Sequence, residues 1–169
     1  HFCVIPLEQG KNIAKRSKES IIKEIKMLYE EGTKKINDLT MPTINMYGSY
    51  CALYNVAEKI FSPIIEKEIT VYNKEEYCNQ VCVGCKYRVM RDDLIPLLEE
   101  VEKLNKKHNG ELEIRSAIRH DLILEQKQLF RKIMQFVSRL KIAPEHISDN
   151  VLKQMNKSNK KAFEEFLEE

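Results

Sequence analysis

The sequence predicts an all-α fold, an antiparallel four-helix bundle with long kinked helices and a short fifth helix at the end. Three observations predict it. Glycine and proline number only five each in 169 residues, so helix breakers are sparse. Charged residues make up 32% and apolar residues 43%, enough of each for helices with one buried and one solvated face. Apolar residues also recur at steps of three and four in long segments divided by short turn signals. The length fits one domain over 1–169, large enough for a real core.

The first helix is expected over Asn12–Leu39, where Ile21, Ile25, Leu28, Ile36 and Leu39 form one stripe and Gly32 lets a neighbour approach. Thr40 and Pro42 suit the start of a second helix. It reads Ile44, Tyr47, Tyr50, Cys51, Tyr54, Ala57, Ile60, Phe61 and Ile64, with Pro63 as a kink. A third covers Lys74–His108. Leu94, Leu98, Val101 and Leu104 carry its face, and Pro96 marks either a kink or a fresh start capped by Asp92 or Asp93. Asn109–Gly110 is a strong stop, because both residues tolerate the left-handed conformation. The fourth spans Glu111–Leu140 on Ile118, Leu122, Leu129, Ile133, Phe136 and Leu140. Ala143–Pro144 ends it, and a shorter helix follows over Glu145–Glu168.

Chemistry is sparse in this pattern. A net charge of +2 argues against nucleic acid as a partner. No apolar run is long enough to span a bilayer, and the chain starts without Met or a signal-peptide pattern, as a mature chain or fragment would. Glycine-rich phosphate loops, serine elbows and Glu-x-x-His pairs are missing, and His1, His108, His120 and His146 form no ligand spacing. The expectation is therefore a non-enzyme with no cofactor, no metal and no small-molecule substrate.

The stretch "YCNQVCVGCKYRV" holds three of the five cysteines within eight residues. Steps of four and three place Cys78, Cys82 and Cys85 on one helical stripe that Val89 extends. The expected reading is a structural seam of largely buried, reduced thiols. A disulfide, or a thiol or metal module, is the rival. Glu125, Asp92 and Asp93 fall on or near apolar stripes and are candidates for a polar core. They either pair with a Lys or Arg or weaken the bundle so that it opens.

The Lys-, Glu-, Ile- and Asn-rich helices, with "MPTINMYGSYCALYNVAEKIF" and "CNQVCVGCKYRV", resemble the sporozoite microneme proteins that malaria parasites need for cell traversal. That resemblance implies a secreted, non-catalytic bundle acting on a host membrane or host-cell protein, with no residue to carry over as catalytic. The alternative is a stable helical interaction module, cytokine-like or adaptor-like.

Overall fold

The computed structural model describes residues 15–39, 41, 43–52, 58–62, 67–71 and 85–169. Its helices are α1 (Lys18–Glu30), α2 (Leu94–His108), α3 (His120–Ile123), α4 (Lys127–Met134), α5 (Asp149–Gln154) and α6 (Lys160–Glu168). Its strands are β1 (Lys35–Ile36), β2 (Tyr50–Cys51), β3 (Glu58–Ser62), β4 (Lys67–Val71), β5 (Arg88–Val89) and β6 (Glu111–Leu112). The fold is thus mixed α/β, which corrects the four-helix bundle.

The first expected helix is cut short at Glu30. Ser17 caps its start, its hydroxyl accepting from Ser20 N at 3.2 Å. Gly32 ends it at φ +94°, with Thr33 N reaching back to Leu28 O at 3.0 Å, a left-handed stop rather than the packing notch expected there. The chain then enters β1, which pairs in parallel with β6, Lys35 opposite Glu111 and Ile36 opposite Leu112. Glu111 N donates to Lys34 O and Glu113 N to Ile36 O, at 2.8 and 2.9 Å.

The stretch expected to form the second helix holds a 3₁₀ turn (Ile44–Met46), then β2 and β3; Pro63 lies outside the described residues. β2 pairs antiparallel with β5, and β3 with β4. Among the described residues of the third expected helix, 85–93 are not helical and the helix starts at Leu94. Pro96 sits in its first turn, where a missing N–H costs little, so the fresh-start reading holds with Asp93 at the N-cap. The Asn109 stop also holds: Asn109 is left-handed at φ 49°, and a Cβ on Gly110 would lie 2.7 Å from the Tyr29 ring. Only glycine lets β6 turn this tightly under α1.

The fourth expected helix is in fact β6, an extended continuation, α3 and α4. Ile114 N donates to Phe136 O at 2.7 Å and Ile118 N to Lys141 O at 3.0 Å. Both partners advance together, so residues 136–141 run parallel to 114–118 on the side away from β1. One face of this layer carries Ile36, Leu112 and Ile114 against Ile25, Tyr29, Leu98, Val101, Leu129 and Ile133 of α1, α2 and α4. Each such burial contributes about 1.5–3 kcal/mol. The other face carries charge.

Candidate functional site at the carboxyl end of the parallel strands

Residues Glu111–Arg119 alternate as strand residues do. Leu112, Ile114 and Ile118 point into the core, while Glu111, Glu113 and Arg115 meet Lys35 and one another. Glu113 accepts from Ser138 Oγ and from Arg115 Nε and Nη2, at 3.1 and 2.8 Å for the guanidinium. The Ser138 hydroxyl and then Arg115 hold the Glu113 carboxyl down at about 2. Asp38, just past β1, accepts from Arg115 N at 2.8 Å and from Ser116 N and Oγ, both at 3.1 Å. This carboxylate closes the backbone where β1 ends.

One turn further on, the fully buried Asn45 acts as a substitute strand. Its Oδ1 accepts from Arg119 N at 2.9 Å and its Nδ2 donates to Arg119 O at 3.3 Å, while Ile44 N bonds Ala117 O at 2.9 Å. The backbone of Arg119 is thereby fixed. Its guanidinium forks onto Asp121, Nε to Oδ1 at 2.7 Å and Nη2 to Oδ2 at 2.5 Å. Asp121 is 2% exposed and Arg119 34%. Burial alone would raise the Asp121 carboxyl, but the Arg119 fork outweighs it and holds the pKa below the usual carboxylate value. A buried acid thus aims a partly exposed arginine.

The neighbouring segment contributes a second feature past Lys141. Glu145 has φ 69°, a left-handed conformation costly for a side chain with a Cβ and commonest where function demands it. The exposed His146 accepts from Ser148 N at its Nδ1, 2.9 Å away, which places the proton of the neutral ring on Nε2. Behind the edge, His120 is buried against Phe163 and Phe166 of α6, and burial lowers its pKa. A cavity of about 310 Å³ between α1, Ile36–Leu39 and Tyr47 shares only Asp38 with this edge and is lined largely by core residues.

The residues singled out from sequence lie elsewhere. Cys85 is a half-buried free thiol leading into a turn, not a helix, and Val89 lies in β5. The helical seam therefore does not extend through them, and Cys78 and Cys82 lie outside the described residues. Among the described residues no group of three or more His, Cys, Asp or Glu could hold a metal ion. The expected polar core is instead a paired rim. Glu125 bonds Arg88, Asp92 accepts from Gln126, and Asp93 bonds Lys15 and Arg91. Lys15 and then Arg91 lower the Asp93 pKa against its partial burial. The edge residues Asn45, Glu113, Arg119 and Asp121 were missed, although the alternation "ELEIRSAIR" pointed to a strand that ends at Arg119.

Fold and site together define an α/β unit with a preorganised polar edge at the carboxyl ends of parallel strands. The chain is similar to UPF0313 proteins of bacteria and archaea. It is 30% identical to one from Thermotoga petrophila over 98% of this chain and 27% of that protein. It is 32% identical to one from Fusobacterium nucleatum over 98% and 28%, and 30% identical to one from Methanocaldococcus jannaschii over 99% and 26%. It spans about a quarter of the length of these curated relatives. No family model matches the chain, and no solved structure matches it. Relatives aligned over nearly the whole chain overturn the resemblance to malaria microneme proteins, and with it the traversal function. That likeness rested on composition and helix pattern, which unrelated Lys- and Ile-rich chains share.

Proposed function

We propose that this chain is part of an α/β unit that binds a small polar molecule bearing an anionic group at the carboxyl ends of β6 and residues 136–141. In open α/β sheets ligands seat outside the carboxyl ends of the strands. The observation that supports this reading is Arg119, its backbone N–H held by Asn45 and its guanidinium by Asp121, with 34% of the side chain exposed. Such a supporting shell is what a binding arginine needs. Glu145 and the exposed His146 follow Lys141, the last residue paired with the continuation of β6, by a few positions in the chain. A small molecule therefore replaces the host membrane or host protein first expected as partner. The proposal is one of binding, with the chain itself non-catalytic.

Thermal melts of the full chain with AMP, ATP, glutamate and citrate test it. A bound ligand raises Tm by mass action. At least one of these is expected to do so, and Arg119→Lys, which keeps the charge but loses the fork, is expected to cancel the rise. No rise with any of the four, or a rise unchanged in the variant, removes the reading.

A second reading is favoured by one observation. Cys85 precedes a turn, so the helical explanation for the spacing of Cys78, Cys82 and Cys85 no longer covers it. Three thiolates in one short run suit an iron–sulfur cluster better than zinc, whose structural motifs draw a second pair from a distance. Anaerobic reconstitution with iron and sulfide, followed by iron counting, tests this. Iron retained by the native chain and lost in Cys85→Ala supports it, and all five thiols alkylatable with no iron retained reject it.

A further inference from the structure

We propose that Arg88 and Gln126 form a separate site for a small oxyanion, a carboxylate or a phosphate, where β5 meets the start of α4. The side chain of Arg88 is 10% exposed. Its Nη2 bonds both oxygens of Glu125, at 2.6 and 2.7 Å. Its Nε and Nη1 are buried and, among the described residues, have no hydrogen-bond partner. Guanidinium nitrogens are donors only and stay charged, so buried unpaired ones call for an acceptor.

The next residue after Glu125 repeats the pattern with opposite polarity. Gln126 Nε2 donates to Arg91 O at 3.1 Å and to Asp92 Oδ1 at 2.8 Å. Both partners are acceptors, so the amide orientation is fixed and Oε1 must face away from them. That Oε1 is buried and, among the described residues, unpartnered as well. Residues 88–92 therefore run alongside 125–126, and the two side chains together leave two donors and one acceptor unmatched. An oxyanion that also carries an O–H or N–H, such as monohydrogen phosphate or an amino or hydroxy acid, matches that set. Glu125, 49% exposed, is the built-in carboxylate on the third nitrogen, and it repels an incoming anion.

This geometry makes a prediction that a purely structural ion pair does not. Inorganic phosphate and acetate are titrated into the full chain by calorimetry, with Arg88→Lys and Glu125→Gln alongside and circular dichroism melts as the folding control. Native protein is expected to bind one probe. Glu125→Gln is expected to bind it roughly fivefold or more tightly, because a like charge at contact distance is gone, and Arg88→Lys to lose it. Binding of phosphate alone identifies a phosphoryl ligand, and binding of acetate identifies a carboxylate. Should Arg88→Lys fail to fold, Glu125→Gln still decides. No binding of either probe, or binding unchanged or weakened by Glu125→Gln, overturns the proposal and leaves buried water as the partner of these atoms.

Discussion

The parallel layer and the antiparallel β2–β5 pair treat buried polar groups in opposite ways. In the layer, Glu113, Asp121 and Asn45 are buried and each is satisfied: Glu113 by Ser138 and Arg115, Asp121 by Arg119, and Asn45 by the Arg119 backbone. In and beside that pair, the side chains of Arg88 and Gln126 are buried with atoms that have no partner among the described residues. A satisfied network fixes geometry, and here it fixes where Arg119 points. An unsatisfied one is stable only with an added partner. The two regions are therefore read differently, the first as a scaffold that aims a side chain and the second as a receptor for an ion.

The largest contrast should appear in packing. Leu98 of α2 is fully buried, and Leu98→Ala should cost about 2–5 kcal/mol in denaturant unfolding. Val89 in β5 is only half-buried, so Val89→Ala should cost about 1 kcal/mol or less. Equal losses would mean that the β2–β5 pair shares the core of the layer.

Next comes the buried amide. Asn45→Ala orphans the N–H of Arg119, at roughly 1–3 kcal/mol if water cannot reach it, while the Arg119 C=O keeps its bonds from Leu122 N and Ile123 N. Gln126→Leu should cost about as much as Asn45→Ala: the acceptor it removes is unpartnered among the described residues, but its Nε2 is the donor to Arg91 O and Asp92 Oδ1, and both acceptors are left unpaired.

Acid sharpens the contrast further. The Glu113 pKa falls from 4.5 unfolded to about 2 folded. Its contribution is therefore complete above 4.5 and lost as the pH drops through that window to about 2. Ser138→Ala should shrink this acid-dependent loss, as read from unfolding curves across the range. His120 acts in the same direction at higher pH. Burial lowers its folded pKa below 6.5, so stability is complete above 6.5 and declines as the pH falls below it, and proteolysis of α6 should speed up there. The smallest effect belongs to the exposed Lys161–Glu165 pair at 3.5 Å. Lys161→Ala should change stability by no more than about 0.5 kcal/mol.

The sequence disclosed the core better than the fold. Leu94, Leu98, Val101, Ile118, Leu122, Leu129 and Ile133, read as helical stripes, are all buried. The cap and stop signals at Pro96 and Asn109 held as well. The strands escaped because β1 and β6 are two residues each, too short for period-2 alternation to outweigh a three-and-four pattern across their neighbours. Ile118 and Leu122 fit a helical step although Ile118 precedes the α3 boundary, and Glu125, which looked like a charged intruder in a helix, sits in the break between α3 and α4. The site was hidden for a related reason. Arg119 and Asp121 are two apart in sequence and are ordinary charges until Asn45, 74 residues away, fixes the backbone between them. Nothing local announces such a long-range contact.

The nitrogen–proton correlation spectrum of the ¹⁵N-labelled full chain, recorded while the compound that most raises Tm is titrated in, compares the two ends of the parallel strands. Shifts concentrated on Arg115–Asp121 and Ile142–Ser148, with the Arg119 Nε–H signal moving along the same binding curve, are the expected result. Shifts concentrated on Lys34, Lys35 and Gly110 at the opposite end, with Arg119 unmoved, would overturn the assignment of the carboxyl edge as the binding end.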